Sequence, residues 1–589
     1  MVMLGKTGLR RLLAGALVGV LSACSSGLSS DGGTLVPPDQ STVSSAMRLG
    51  ASDAGNYLAG RFAQEQHDLD KAPDYLLRAL AGDPENAELL QRTYLSLAVA
   101  GRLDQAAEIA KRLLQFDDEA AIAAILVAEQ AAKAGKWSEA EKLMAGLPKR
   151  GLNSFMTPLI VAWARMGEGK PDAALEALAP LSQNSSFAAL HDFHAALIND
   201  LADRRKAAEQ FYLATLAGNG GLTLRTAETA ISFYNRVGQP DKAREVLARY
   251  QENHPETGGI NPGLTRRPVA SARDGMAEVM FGAAGSLRQS NATELALVFG
   301  RMALDLQPDF SLAQVTVADL LQSLGQLPAA NEMFKAVSSD SPVYWSSRLR
   351  LAANLDDLGE VDAAVKTLEG LAAEFPERQD TLVTLGDVLR RHKRWPEAIA
   401  AYDRAIASFQ QPERDQWVVY YARGIALERD KQWVRAESDF LKALELEPDE
   451  PHVLNYLGYS WIEQGTNLDE AKRMIEKAVE QRPTDGYIVD SLGWALFRAG
   501  DYNNAVEALE RAVELHPDDA TINDHLGDAL WSVGRQDEAR FQWQRALVFD
   551  PEPELKTEIE NKLKAGLQLP LPAAAPAAPT AKNKNAAVR

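Results

Sequence analysis

The stretch DSLGWALFRAGDYNNAVEALERAVELHPDD, Asp490–Asp519, recurs in outline as DHLGDALWSVGRQDEARFQWQRALVFDPEP, Asp524–Pro553. The matching landmarks lie 34 residues apart: Gly493 and Gly527, Gly500 and Gly534, Ala505 and Ala539, Ala512 and Ala546, Pro517 and Pro551. Apolar residues between these landmarks follow helical spacing. Proline ends each unit because it cannot continue a helical hydrogen-bond ladder. The period therefore indicates a repeated pair of helices joined by a turn.

The same frame extends through most of the chain. The spacing is close to 34 residues, apart from a step of 53 before Ala296 and a step of 38 that reflects a longer connection around Gln410–Asp415. We therefore predict about fourteen helix pairs. An alanine occupies one position early in the second helix of every unit: Ala72, Ala106, Ala140, Ala174, Ala207, Ala243, Ala296, Ala330, Ala364, Ala398, Ala436, Ala471, Ala505 and Ala539.

The recurrence of a small residue at the same position of each repeat has a steric explanation. Small residues such as Gly493 and Ala505 allow two antiparallel helices to approach closely, and leucines such as Leu509 fill the remaining space between them. Gly500 is expected to adopt the left-handed conformation that ends the first helix. One helix pair cannot bury its own apolar face, so neighbouring pairs must stack and share a continuous core.

These repeats resemble the tetratricopeptide repeat, a helix–turn–helix unit of 34 residues. The resemblance implies an all-α protein, a right-handed superhelical solenoid of about fourteen repeats. In this family the first helices of the repeats line a concave groove. The resemblance covers nearly everything from Cys24 to about Lys564.

The irregular steps divide the chain. We predict N-terminal repeats over residues 47–255 and C-terminal repeats over residues 275–563. Between them, the Gly-, Pro- and Arg-rich segment 256–274 is interpreted as a loop or hinge. Residues 24–46 are Ser-, Gly- and Pro-rich and are predicted to be a flexible tether. Residues 564–589 form a Pro/Ala-rich basic tail that is predicted to be disordered.

Residues 1–23 have the order of a secretory signal peptide: a basic start, the apolar run Leu12–Leu21 and then small residues. The block LSAC, which ends at Cys24, resembles the lipobox of bacterial lipoproteins, in which the peptidase cuts before the cysteine and the cysteine is acylated. Several acyl chains on one residue give stable membrane anchoring. Ser25, in place of an aspartate, resembles the family's signal for the outer membrane. The alternative is an incidental free thiol.

Composition excludes several classes of function. The formal charge is −19, and it becomes −22 when residues 1–23, with three positive charges and no negative ones, are removed. Such a chain is not expected to bind a phosphate backbone or an anionic lipid surface. Cys24 is the only cysteine, so neither a disulfide nor a cysteine-ligated metal site is expected in the mature chain.

The sequence contains no recognisable catalytic motif. GKT at Gly5–Thr7 lacks the upstream glycine of a phosphate-binding loop. His191 and His194 lie one helical turn apart, but no cysteine or acidic triad completes a zinc site, and we interpret them as surface histidines. We therefore predict a protein that is not an enzyme and has no cofactor and no metal. An enzyme site hidden in the loop region is the alternative, and it would need a pocket rich in titratable groups.

The predicted groove supplies candidate binding residues. Exposed aromatic rings give rigid apolar contacts to a protein or peptide partner, and polar groups set its register. The alternative is that Tyr459 and Trp494 pack between repeats, and the sequence does not separate the two. By analogy with the family, the residues facing the groove are Asn455, Tyr459, Asp490, Trp494, Phe497, Asp524, Asp528 and Trp531.

The chain resembles the large tetratricopeptide lipoproteins of the proteobacterial outer membrane, and the block from Gly458 to Asp519 is most similar to lipoproteins that act as adaptors for a periplasmic carboxy-terminal processing protease. The resemblance implies a non-enzymatic scaffold on the periplasmic face of the outer membrane that presents envelope substrates to a protease. The alternative is an assembly scaffold for outer-membrane or polysaccharide-export machinery. Both alternatives require protein partners and no nucleic acid.

Overall fold

The structure is a computed structural model that describes residues 52–218, 222–254, 260–410 and 412–568. These residues form 29 α-helices and one short 3-10 helix, Arg414–Gln416, and none of them lies in a β-strand. The signal peptide, Cys24, the tether and residues 569–589 of the predicted tail lie outside the described residues. Within the described ranges, no helix is long and apolar enough to cross a membrane.

The chain divides into two units, Met1–Pro84 and Glu85–Arg589. The first contains helices α1 (Asp53–Glu65) and α2 (Lys71–Gly82), which pack against each other. The second contains α3 Ala87–Val99, α4 Leu103–Leu113, α5 Ala121–Lys133, α6 Trp137–Ala145, α7 Asn153–Gly167, α8 Pro171–Ser182, α9 Ala188–Leu201, α10 Arg205–Ala217, α11 Leu224–Arg236, α12 Pro240–Asn253, α13 Ala272–Gln289, α14 Thr293–Leu306, α15 Ser311–Ser323, α16 Leu327–Ala336, α17 Tyr344–Asp357, α18 Val361–Glu374, α19 Gln379–Arg391, α20 Trp395–Ala407, α21 Trp417–Arg429, α22 Trp433–Leu446, α23 Pro451–Gln464, α24 Leu468–Gln481, α25 Gly486–Arg498, α26 Tyr502–Leu515, α27 Ala520–Ser532, α28 Gln536–Val548 and α29 Pro553–Ala565.

The helices pair in chain order, each odd-numbered helix with the even-numbered helix that follows it, and α29 remains as a final single helix. The predicted all-α architecture of stacked helix pairs is therefore confirmed. Thirteen of the fourteen predicted alanines are at most 3% exposed at the crossing of their pair. In α10 the prediction was wrong by one residue, because Ala208 is fully buried there and Ala207 is only half-buried.

The turn inside each pair has a residue with a positive φ angle at a position that repeats with the same frame, and the turn between α23 and α24 has a second one, Asn467. Gly500, with φ of 81°, has the predicted left-handed conformation. Several units place another residue at this position, for example Asp203, Lys393 and Lys431. The turn geometry is thus set by the repeat even where glycine, which adopts this conformation most easily, is absent.

Several first helices begin at side-chain caps, and several approach their partners through glycine. The carboxylate of Asp519 accepts a hydrogen bond of 3.0 Å from the backbone N–H of Ile522, which satisfies one free donor of α27. A Cβ atom on Gly493 would lie 2.5 Å from Cγ of Leu509. Because real Cβ atoms do not approach other atoms so closely, any larger residue here would have to displace Leu509.

The first helices α3, α5, α7 and α9 are covered by another part of the chain. Helices α13 and α14 pack across them. At this contact the Lys133 ammonium pairs with the Asp305 carboxylate at 2.8 Å, and the Arg273 guanidinium donates to the carbonyl of Lys133 at 2.9 Å. The face that was predicted to be the groove of the N-terminal repeats is therefore filled over these four helices.

The predicted loop or hinge, 256–274, is described from residue 260, and its last residues belong to α13. Ile260 and Val269 are 3% exposed. The Asn235 amide of α11 donates to the carbonyls of Pro262 and Leu264 at 2.8 and 3.0 Å. The described part of this segment is thus a loop fixed to α11. At the other end of the array, α29 reaches Ala565, so the predicted tail begins inside a helix.

The alanine positions predict a large effect of added volume. Ala505→Leu places three further carbon atoms in a fully buried crossing and is expected to cost about 1–3 kcal/mol through overpacking. The free energy of unfolding from urea titrations would measure this. Ala400→Leu is the matched control, because Ala400 is exposed and lies two residues after the buried Ala398, so its effect should be within about 0.5 kcal/mol. Equal effects of both substitutions would contradict the prediction.

Candidate functional site

A large cavity lies on the first helices of the last repeats. Its volume is about 1650 Å³, and we call it the C-terminal groove. Helices α19, α21, α23, α25 and α27 line it, and α29 with the connection before it forms the opposite side. Tyr459, Trp494 and Asp528, which follow the crossing glycines of three successive repeats, all face this groove.

Two of the predicted groove residues, Trp494 and Phe497, are packed inside the fold. The Trp494 side chain is only 7% exposed, because its ring stacks on His525 at 4.1 Å and on Phe497 at 5.0 Å. Its indole N–H donates to the Glu463 carboxylate. Phe497 is 3% exposed. Packing between repeats therefore describes Trp494 better than an exposed anchor does, since the adjacent repeat already covers its ring.

Tyr459 and Asn455 are half-buried and border a smaller cavity of about 230 Å³. The most exposed ring at this cavity is Tyr487, which sequence reasoning missed. Tyr487 is 55% exposed and stacks on His516 with 4.6 Å between the ring centres, so it is both accessible and held in place. Its position in the first turn of α25, two residues after the cap Asp485, is a signal that could have found it.

The predicted acidic residues are buried and already paired. The Lys562 ammonium of α29 binds the carboxylates of Asp524 at 2.7 Å and Asp528 at 2.8 Å. Asp490 contacts the ring of His525 at 3.0 Å. We call these five residues the Lys562 cluster. Asp524 and Asp528 border the groove but already bind a group of the same chain, because α29, which has no repeat pattern, lies over the end of the groove.

Burial shifts the pKa values in the Lys562 cluster. Burial, together with the charge of Asp524, raises the pKa of Asp528 to about 7, although Lys562 opposes this. Burial alone would lower the pKa of Lys562, but the carboxylates of Asp528 and Asp524 outweigh it and raise that pKa. In the same way, Asp490 outweighs the effect of burial and raises the pKa of His525.

The last predicted groove residue, Trp531, is half-buried beneath the end of α29. A Cβ atom on Gly566 would lie 2.3 Å from the Trp531 ring, so the chain passes directly over it. The prediction of two surface histidines on α9 is wrong for His194, which is 1% exposed and accepts a hydrogen bond of 3.0 Å from Trp163. Burial lowers its pKa to about 3. Within the described residues, no group of three His, Cys, Asp or Glu side chains is placed to hold a metal ion.

Comparison with known proteins identifies the repeats. One family model of the tetratricopeptide repeat matches residues 349–413 and 491–553, and a second matches residues 227–257. The chain contains tetratricopeptide repeats. A TPR repeat-containing protein of Pseudomonas aeruginosa is 26% identical to it over 163 residues, which are 28% of this chain and 27% of that relative.

Solved structures with tetratricopeptide repeats are also similar to this chain. A tetratricopeptide repeat protein from Parabacteroides merdae is 17% identical and is matched over 43% of this chain and 97% of its own, with a TM-score of 0.36. One chain in the structure of the APC/C hetero-tetramer Cut9–Hcn1 is 13% identical. The match covers 90% of this chain and 99% of the other, also with a TM-score of 0.36.

The raised pKa of Asp528 predicts a pH-dependent stability. The folded state binds this proton more tightly than the unfolded chain, whose aspartate titrates near 3.8. The resulting stabilisation is complete below pH 3.8 and is lost as the pH rises through about 7. Asp528→Asn removes the titration and keeps an oxygen that can accept from the Trp543 indole, which lies 2.9 Å from Asp528.

We therefore expect the melting temperature of the parent protein to fall more steeply than that of Asp528→Asn between pH 5 and pH 8. Calorimetric melts at four pH values would measure the difference. Asp518→Asn is the matched control, because this carboxylate borders the same tetratricopeptide groove and is exposed. Parallel curves for the parent and Asp528→Asn would contradict the prediction.

Proposed function

We propose that this chain is a non-enzymatic scaffold whose C-terminal groove binds a protein or peptide partner. Stacked helical repeats present extended concave surfaces of this kind. One observation carries the proposal: α13 and α14 cover the first helices α3, α5, α7 and α9, whereas the first helices from α19 to α27 border a cavity of about 1650 Å³. Tyr487 supplies an exposed, fixed ring beside it.

We further propose that the scaffold is anchored by lipid at Cys24 to the outer membrane, faces the periplasm and presents envelope substrates to a processing protease. The order of charge, apolar run, small residues and cysteine in residues 1–24 supports the anchor. The block from Gly458 to Asp519 supports the adaptor role by resemblance. Lipid anchoring would raise the local concentration of two partners that bind the same chain.

The anchor is tested by Cys24→Ala. Without the thiol no acyl chain can be attached, so we expect the variant to leave the outer-membrane fraction or to accumulate unprocessed. Cell fractionation and immunoblotting would measure both outcomes. Ser26→Ala is the control and should fractionate with the parent. A Cys24→Ala protein that is processed and still sediments firmly with the membrane would refute lipid anchoring.

The binding site is tested by capture from detergent-solubilised envelope, read by mass spectrometry. We expect Tyr487→Ala to weaken capture of the main partner by about 2 kcal/mol in a binding titration, because buried aromatic anchors are worth this much at interfaces. Phe541→Ala is the matched control: it is 59% exposed but lies on α28, a second helix.

Each result of this experiment has a defined meaning. A protease with its substrates supports the adaptor role. Stable recovery of a barrel protein or of polysaccharide-export components supports the assembly scaffold instead. If circular dichroism shows that the parent and Tyr487→Ala are both folded and they capture the partner equally, the partner site lies outside the smaller cavity at Tyr487.

A further inference from the structure

The C-terminal groove has a basic wall, although the chain as a whole carries a formal charge of −19. Five cationic side chains border the cavity on this side: Arg390, Lys393, Arg429, Lys431 and Arg498. They lie at the ends of α19, α21 and α25 and in the turns after α19 and α21, so the repeat frame places them along one side of the groove. We call these five residues the basic wall.

The basic wall is only partly neutralised. Arg498 pairs with Glu463 at 3.1 Å, and Lys393 pairs with Glu552 at 2.9 Å. Arg429 lies 3.5 Å from the carboxylate of its neighbour Glu428 and hydrogen-bonds the Tyr456 hydroxyl, but 58% of its side chain is exposed. Lys431 is exposed and makes no ion pair within the described residues. At least two cationic groups are therefore available to a negatively charged ligand.

The opposite side of the groove is acidic and belongs to α29 and the connection before it. Asp550, Glu552, Glu554 and Glu558 border the cavity there. The Glu552–Lys393 pair crosses the groove between residues 159 positions apart in sequence, and both side chains are about 70% exposed. This contact places a carboxylate of the chain itself on the basic wall.

We infer that the basic wall binds an acidic segment of the protein partner, and that Glu552 at the start of α29 competes with that segment for Lys393. The inference rests on the proposed function and names the chemistry of its partner. Charge complementarity supports it, because Arg429 and Lys431 face a groove in which the chain already places its own carboxylate.

The two ends of α29 differ in how firmly they are held. Near its C-terminal end, Lys562 pairs with two carboxylates that are at most 4% exposed. At its N-terminal end, Glu552 forms one exposed pair, and exposed pairs contribute little to stability. A partner carboxylate therefore displaces Glu552 at small cost, while the Lys562 cluster keeps the helix attached.

The test uses the purified full-length protein and a fluorescein-labelled peptide of twelve alternating glutamate and alanine residues, read by fluorescence anisotropy. A peptide with lysine in place of glutamate is the control ligand. We expect the acidic peptide alone to bind. The double variant Arg429→Glu/Lys431→Glu should bind it roughly tenfold more weakly or worse, because two attractive charges become repulsive.

Arg473→Glu/Lys477→Glu is the matched control, because it makes the same change in net charge on α24, a second helix, where both residues are exposed. It should bind like the parent. Glu552→Gln should tighten binding roughly two- to threefold, since it removes one exposed competing pair. Circular dichroism establishes that each variant is folded.

Equal binding of the acidic peptide by the parent and by the Arg429/Lys431 variant would overturn the inference, as would equal weakening by the control variant. An unchanged affinity in Glu552→Gln would overturn the competition by α29. Failure of this inference is distinguishable from failure of the proposed function: if the captured partner binds through Tyr487 and the acidic peptide does not displace it, the scaffold function stands and the inference fails.

Discussion

The structure depends on the close approach of two helices at one small residue in every repeat. Alanine at the crossing, glycine opposite it in several units and a residue of positive φ in the connecting turn together form a short, tight hairpin of helices. Such a hairpin leaves an apolar face that it cannot bury alone. Stacking on the next pair is therefore obligatory, and stability is distributed along the array as contacts between neighbours.

This stacking also limits what the groove can present. A side chain in the middle of a first helix lies between two repeats, so a large ring such as Trp494 is buried by its neighbour and stacks on His525. A ring in the first turn, such as Tyr487, remains exposed. In α25 the first-turn position is therefore accessible, while the middle position holds successive repeats together.

The helix pairs could be predicted from sequence because their spacing is set by sterics within each unit. The one wrong register, Ala207 for Ala208, arose where two adjacent alanines satisfy the same pattern. The candidate site was less predictable. The repeat frame predicts that Tyr459, Trp494 and Asp528 lie on the groove face of their helices. How deeply each side chain is buried depends on neighbouring repeats and on α29. That helix carries no repeat landmark, so nothing in the 34-residue pattern places Lys562 on Asp524 and Asp528.

The electrostatics of α29 explain how one helix can both complete the fold and leave the groove accessible. Removing one partner from a buried pair costs about 3–5 kcal/mol, because it leaves an uncompensated charge. An exposed pair contributes about 0–1 kcal/mol. Lys562 belongs to the first kind and Glu552 to the second. The helix is thus held where it covers the open end of the core at Trp531, and it is weakly held where it meets the basic wall. Because these two contacts lie at opposite ends of α29, competition at the groove does not require the end of the solenoid to be exposed.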